Sequence, residues 1–452
     1  MNDLRIKNAK CSDAESIVQI HHAAVHRTAA GYYSETILDN WSEPLTQDRI
    51  DRIAAAVSHP EKLVLIAHND SGNIGFGVVD LDKSYLGAIY VAPFMGRKKI
   101  GTALLARLEA LSRERGLTWL QLDASLNAEA FYRKHGYQVV EKGFHTLQSG
   151  LQMPCIKMVK RFAKTPLRPD FPDFKLKCLK AHIRLGESGA LRLLDAGRAW
   201  DLAPVLKAGG SIIFPHLAIE ICGHQIAAAV HACLDSGAKR VLALGVIHAS
   251  TPELNEARLR VAQGGDLQKE SSWGLQGPGL KTREDWLDEF SLDHFLFLWK
   301  HELKRRNIPG PELILRYPYL AGGKPQSMPG IAELQAIMQD AVIVATMDPF
   351  HHGIGYGEPP ESALWPEKGG LDQARRHITE GLELFARGDY WAYNQQAVQA
   401  KSDGRDVGQV LRFLLDPSQG SILDLVAEDT TPDYRQPAPT WVAGALIQLK
   451  PI

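Results

Sequence analysis

Three histidines stand just past apolar runs. They are His216 after Ile212-Ile213-Phe214-Pro215, His248 after Leu244-Gly245-Val246-Ile247, and His351 in Thr346-Met347-Asp348-Pro349-Phe350-His351-His352-Gly353. The carboxyl ends of parallel strands are where open sheets place their sites, so three histidines at such ends converge on one point. Neutral imidazoles that meet there bind a divalent transition metal. A second stretch, Tyr90-Val91-Ala92-Pro93-Phe94-Met95-Gly96-Arg97-Lys98-Lys99-Ile100-Gly101-Thr102-Ala103, suits a different ligand. A strand that stops where a helix starts leaves unpaired N–H groups at the positive helix end, a seat for a pyrophosphate. Gly96 and Gly101 let the backbone approach, and Arg97, Lys98 and Lys99 add positive charge.

The elements that must position these groups follow from periodicity. Leu4 to Lys7 reads as a strand, and Ser12-Asp13-Ala14-Glu15 caps a helix through Ile17, Ile20 and Ala24. Leu63 to Ala67 and Ile74 to Val79 form a hairpin about the turn Asn69 to Asn73, and Tyr85 to Val91 is a further strand. Leu104, Leu105, Leu108 and Leu111 mark a helix from Ile100 to Arg115. A charged stretch with three prolines, RFAKTPLRPDFPDFKLK at 161–177, marks a linker at 162–180, separating a domain at 1–161 from one at 181–452. Beyond it strands (211–214, 240–246, 313–317, 341–346) alternate with helices (223–236, 330–339), which predicts an α/β domain with a largely parallel central sheet.

Some thirty residues past the basic loop comes Asn127-Ala128-Glu129-Ala130-Phe131-Tyr132-Arg133-Lys134-His135-Gly136-Tyr137. Together the two stretches resemble the GNAT acetyltransferase superfamily over about residues 3–160. The resemblance implies a mixed, mostly antiparallel sheet with helices, and acetyl-CoA as cofactor. It implies that Arg97, Lys98, Lys99, Ile100, Gly101, Thr102 and Ala103 hold the pyrophosphate, that Ile89 and Val91 offer main-chain contacts to the pantetheine, and that Asn127 belongs to the same binding set. Tyr132 matches the tyrosine that protonates the departing thiolate. The loop departs from the family pattern, with Gly96 at its first position and Lys99 at its first glycine, so Lys99 is expected to crowd it.

The second half resembles the Memo family, which shares a fold with the class III extradiol dioxygenases. Phe214-Pro215-His216 with Cys222-Gly223, the run ending in His248, Glu289-Phe290-Ser291-Leu292-Asp293, and Asp348 through Gly353 with Tyr356 carry that likeness from about residue 185 onward. It implies that His216, His248 and His351 are metal-site histidines and that Asp348 orients a ligand or moves a proton. Two positions depart: Phe290 stands where the family has histidine, and Asp403-Gly404-Arg405 where it has Cys-Gly-Arg. Asp403 is therefore a candidate fourth ligand, with Glu220 as competitor. Histidines with a carboxylate favour non-haem Fe(II), with Zn, Mn or Cu as alternatives.

Bulk properties narrow the classes. A chain of 452 residues exceeds what one core usually serves, and 51 Lys+Arg against 52 Asp+Glu, without a long basic run, argue against a nucleic-acid partner. Five cysteines without CxxC spacing read as free thiols of a reduced, cytoplasmic compartment. No apolar run reaches the roughly 20 residues that span a bilayer. The expectation is a bifunctional enzyme acting on small molecules, an N-acyltransferase joined to an iron oxygenase, with dioxygen as co-substrate and room for an oligomer. A metal-dependent hydrolase or lyase, and a binding or regulatory protein with a degenerate GNAT domain, stand as alternatives.

Overall fold

The computed structural model describes residues 4–162 and 165–452, and the chain divides into two units, 1–163 and 164–452. Residues 163 and 164 of the expected linker, and 1–3 of the expected first domain, lie outside the described residues.

In the first unit Leu63 to Ala67 is apolar without a break, and it becomes a fully covered strand. The order is β1 (Arg5–Asn8), α1 (Ala14–Thr28), α2 (Glu35–Trp41), α3 (Gln47–Val57), β2 (Lys62–Asn69), β3 (Gly72–Asp80), β4 (Tyr85–Val91), α4 (Ile100–Glu114), β5 (Trp119–Ala124), α5 (Glu129–Lys134), β6 (Gln138–Thr146) and β7 (Gln152–Arg161). The sheet runs β1-β2-β3-β4-β5-β7-β6. Every neighbouring pair is antiparallel except β4 and β5, which are parallel and register at a single pair, Tyr85 with Gln121. Past that pair the strands part, leaving a wedge beside the rest of β4. Leu104, Leu105 and Leu108 of α4 are buried against one face, each side chain worth about 1.5–3 kcal/mol. Ile17 and Ile20 of α1 cover the other face over Val64, Ile66 and Phe76.

The second unit contains α6 (Phe174–Gly197), α7 (Ala203–Lys207), β8 (Ser211–Phe214), α8 (Ile219–Asp235), β9 (Arg240–Leu244), α9 (Pro252–Ala262), β10 (Gly274–Gln276), α10 (Asp293–Arg306), β11 (Glu312–Tyr319), α11 (Ile331–Ile337), β12 (Ala341–Thr346), β13 (Phe350–Gly353), α12 (Leu371–Arg387), α13 (Tyr390–Gln399), α14 (Arg405–Leu414), β14 (Ser418–Asp429), α15 (Thr431–Tyr434) and β15 (Thr440–Pro451). Its sheet runs β10-β11-β9-β12-β8-β15-β13, with β14 on β15. The central four strands are parallel as the alternation predicts, but β10, β13, β14 and β15 join antiparallel, so the sheet is mixed rather than largely parallel. Helices α6, α8 and α10 pack on one another, and buried residues from all three share one core with β8 and β9.

Helix α6 begins inside the stretch expected as linker. The Asp173 side chain accepts from the Leu176 N–H and caps it, and Leu176, Cys178, Leu179 and Ala181 are buried between the lysines that hide them in the sequence. All five cysteines are free, four of them buried. No described helix is long and apolar enough to cross a membrane.

Candidate active sites

β8 is short and buried throughout, β9 is buried from Val241 to Leu244, and each delivers its histidine from the loop at its carboxyl end. Gly245 is required in the second loop: a Cβ there would lie 2.3 Å from the Tyr317 ring. The Thr346 hydroxyl donates to the Phe214 carbonyl at 3.0 Å and so accepts from His216 Nδ1 at 2.9 Å. That fixes the proton on Nδ1 and leaves the Nε2 lone pair facing inward. His248 is held likewise, its Nδ1 3.0 Å from Glu289 Oε1. The Glu289 carboxylate also accepts from the backbone N–H groups of His248, Phe290 and Ser291 at 2.7–2.9 Å. Burial opposes its charge, but His248 and these amides outweigh it and hold Glu289 down at about 2.

Both inward nitrogens meet Asp403. His216 Nε2 lies 2.9 Å and His248 Nε2 3.4 Å from Asp403 Oδ2. These three side chains form a group whose ligand atoms all fall within 4.8 Å of one another. Among the described residues, His216 Nε2, Asp403 Oδ2 and His351 Nδ1 are buried without a hydrogen-bond partner. Two nitrogen lone pairs facing a carboxylate oxygen repel unless a cation lies between them, so the donor set fits a divalent metal ion. Burial lowers His216, but Asp348 and Asp403 override it and raise the net value. Burial opposes the Asp403 charge too, yet the carboxylate is held well below its usual range by His216 first and then His248.

Asp348 braces this group. Its Oδ1 accepts from the His216 N–H at 3.1 Å, and its own N–H donates to Asp403 Oδ1 at 2.8 Å. Burial, reinforced by Asp403, pushes the Asp348 carboxyl up to about 7. Gly404 permits the turn, because a Cβ there would stand 2.5 Å from Met347 Cβ.

The placement of His351 differs from expectation. It lies within β13, paired to β15, rather than at the end of a parallel strand, and it lines the same cavity outside the close group. Burial lowers it to about 4. Asp403 is therefore the third member. Glu220 is half exposed in the first turn of α8 and pairs with Arg184 at 3.7 Å, outside the group. Phe290 stacks on His248 with ring centroids 4.5 Å apart, and Tyr356 packs edge-on to His351 at 5.0 Å. Glu289 and Thr346 were not singled out as site residues; only the adjacency of Glu289 to Phe290-Ser291 hinted at a role.

In the first unit, the wedge beside β4 leads to the basic loop. The first bond of α4 runs from the Ala103 N–H to the Lys99 carbonyl, so the N–H groups of Ile100, Gly101 and Thr102 remain at an open helix end. Arg97 and Lys99 have φ of 60° and 61° and adopt the left-handed conformation at about 1–2 kcal/mol each, a strain typical of binding loops. Arg97, Lys98 and Lys99 are exposed. Gly101 sits close to Phe131 of α5, where a Cβ would be 3.6 Å from its ring. Ile89 and Val91 lie on β4 beside the wedge, and the Asn127 amide oxygen is buried without a partner among the described residues. These features fit a bound CoA. Tyr132 is buried on α5, and burial raises its phenol, so it stays protonated.

A histidine that pattern reading passed over completes this picture. His145 on β6 holds Asp123 of β5 at 2.8 Å through Nδ1, leaving Nε2 free. It lines a cavity of about 450 Å³ with Trp41, Glu43, Arg49 and Arg52. Trp41 in turn packs against Tyr90 of β4 at 6.3 Å, so this cavity adjoins the wedge strand. Glu129 pairs with Arg133 at 2.7 Å, and His135 bonds the Phe131 carbonyl at 2.7 Å, so neither faces this cavity.

Comparison with known proteins bears on this unit. Residues 60–139 match the family described as the acetyltransferase (GNAT) domain. The chain is 27% identical over 143 residues to the spermidine N(1)-acetyltransferase of Thermoplasma acidophilum, spanning 30% of this chain and 89% of that protein. It is 27% identical over 142 residues to the uncharacterized N-acetyltransferase YafP of Escherichia coli, spanning 31% and 86%. A solved GCN5-related N-acetyltransferase from Rhodopseudomonas palustris aligns over 36% of this chain and 97% of its own at 27% identity, with a TM-score of 0.33.

Proposed function

We propose that the first unit, which carries a GNAT acetyltransferase domain over residues 60–139, transfers the acetyl group of acetyl-CoA to an amine. The observation that carries this is the single-pair junction of β4 and β5 opening onto the uncapped end of α4. The wedge admits the pantetheine arm, and the loop amides take the pyrophosphate. The acceptor enters the cavity beside Trp41 and His145, where Glu43 is paired to Arg52 at 3.6 Å. His145, oriented by Asp123, removes the ammonium proton through Nε2. The amine nitrogen then attacks the thioester carbonyl, the C–S bond breaks, Tyr132 gives its proton to the thiolate, and the surplus proton on the nitrogen returns to the Tyr132 oxygen, leaving the neutral amide. Similarity to a spermidine acetyltransferase directs the acceptor search to polyamines. The test is thiol release from acetyl-CoA across a polyamine and amino-compound panel. Acceptor-dependent release supports the reading, and CoA binding without release from any acceptor refutes it.

For the second unit the reading is a mononuclear Fe(II) oxygenase of small molecules, and its support is the convergence of His216 Nε2, His248 Nε2 and Asp403 Oδ2. Two histidines and one carboxylate are the ligand set of non-haem iron oxygenases, and the motif likeness to the Memo family points the same way. When bound, the metal supplies oxygen activation. The chain's own part is to fix both imidazole tautomers through Thr346 and Glu289 and to keep Asp348 beside the site as a proton carrier. Phe290 and Tyr356 line the cavity, their rings packed on His248 and His351. Elemental analysis of anaerobically purified protein, with oxygen uptake on catechol- and amine-bearing compounds, tests this. Stoichiometric iron with substrate-dependent uptake supports it. Stoichiometric zinc without uptake favours hydrolysis by bound water instead.

A further inference from the structure

A second cavity of the C-terminal unit, about 640 Å³, is lined by Arg258, Arg405, Lys324 and Trp391 and shares no lining residue with the histidine cavity. Its cations differ from three other half-buried arginines of the unit. Arg283, Arg306 and Arg316 each hold a carboxylate at 2.6–2.7 Å. Arg258 instead lies over the Tyr319 ring at 5.3 Å, and its Nε is buried without a hydrogen-bond partner among the described residues. Its guanidinium reaches the Ile247 carbonyl only by a long bond of 3.5 Å. Arg405 and Lys324 line the same space and make no ion pair or side-chain hydrogen bond among the described residues. The one acid in the wall, Asp406, is buried and tied by Oδ1 to the Ala321 N–H at 2.8 Å. Two half-buried arginines and the exposed Lys324 thus face a single carboxylate.

Two partly buried guanidinium groups drawn to the one wall carboxylate, Asp406, leave positive charge unmatched, and the planar fork of arginine matches phosphate and carboxylate oxygens. Beside the cations, Trp391 is 62% exposed. Its indole lies against Gly323, where a Cβ would come within 2.9 Å of the ring. Large exposed aromatic surface next to a basic pocket stacks planar groups. We propose that this cavity binds a small anion carrying a planar ring beside its phosphate or carboxylate, the acid group on Arg258, Arg405 and Lys324 and the ring on Trp391.

The test is calorimetric titration of the 452-residue protein after EDTA treatment and without CoA, whose adenine and phosphates belong to the proposed ligand class, with the Gln variants separating this cavity from the loop of the first unit. The probes are phenyl phosphate, benzoate and inorganic phosphate. Arg405→Gln and Lys324→Gln are expected to weaken phenyl phosphate about tenfold each, the size of a lost charge-assisted bond. Trp391→Ala is expected to weaken phenyl phosphate while leaving inorganic phosphate unchanged, and His216→Ala to leave every probe unchanged. Tighter binding of phenyl phosphate than of benzoate assigns the phosphate class, and the reverse order the carboxylate class. No saturable binding of any probe, binding indifferent to both Gln variants, or binding lost in His216→Ala would overturn the proposal.

Discussion

At the scale of residues, each of the two sites turns on where a proton sits. Tyr132 is held protonated by burial, ready to donate, while His145 is held with its acceptor nitrogen outward by Asp123. Tyr132→Phe keeps the ring and removes the proton. It should lower kcat for acetyl transfer about 100-fold with KM for acetyl-CoA unchanged, read by steady-state thiol release. In the second unit Glu289 does for His248 what Asp123 does for His145. Glu289→Gln keeps the shape but trades a fourfold-accepting carboxylate for an amide, and should weaken metal binding about 10- to 100-fold in a chelator competition. His216 and His248 were legible because each ends an apolar run. Asp403 became visible only as the residue in place of a cysteine, and Glu289 was not assigned a role, since a carboxylate in a loop looks the same in sequence whether solvated or buried beneath a ring. The bond joining Asp348 to Asp403 crosses 55 residues, a separation no local pattern reports.

At the scale of elements, position is set by close approach. The turn Ser402-Asp403-Gly404 passes directly over Met347, and no side chain fits at Gly404. Gly404→Ala should displace the Asp403 carboxylate and lower metal content to below half of the unaltered protein by elemental analysis, while circular dichroism shows the fold retained. α4 was legible from its leucines, and the hairpin of β2 and β3 from its turn residues. α6 was not, because lysines interrupt its apolar positions and prolines precede it. β15 was missed for the opposite reason. Its run Thr440 to Ile447 is buried on both faces, so it lacks the alternation by which an antiparallel strand announces itself.

At the scale of the whole molecule, two sheets with separate cores give two units, each with its own candidate site. In the first unit His21 accepts from Arg49 and Ser42, and burial followed by the Arg49 charge lowers it to about 3. The unfolded chain, with a histidine near 6.5, binds more protons than the folded one between these values. Stability is therefore complete above about pH 6.5 and falls by up to about 1.4 kcal/mol per pH unit toward pH 3. Calorimetry between pH 7 and pH 4 should show the transition of this unit shift downward, and His21→Gln should flatten that dependence.

The single register pair between β4 and β5 has a consequence for amide hydrogen exchange. Main-chain amides of β4 that face the wedge have no neighbouring strand to shield them and should trade their protons with solvent quickly in the free protein. An arm of ligand lying along that edge would occupy the place of a missing strand, and the same amides would then exchange slowly. Protection appearing on β4 and at the start of α4 when acetyl-CoA is added would thus map the seat of the cofactor without any turnover being measured.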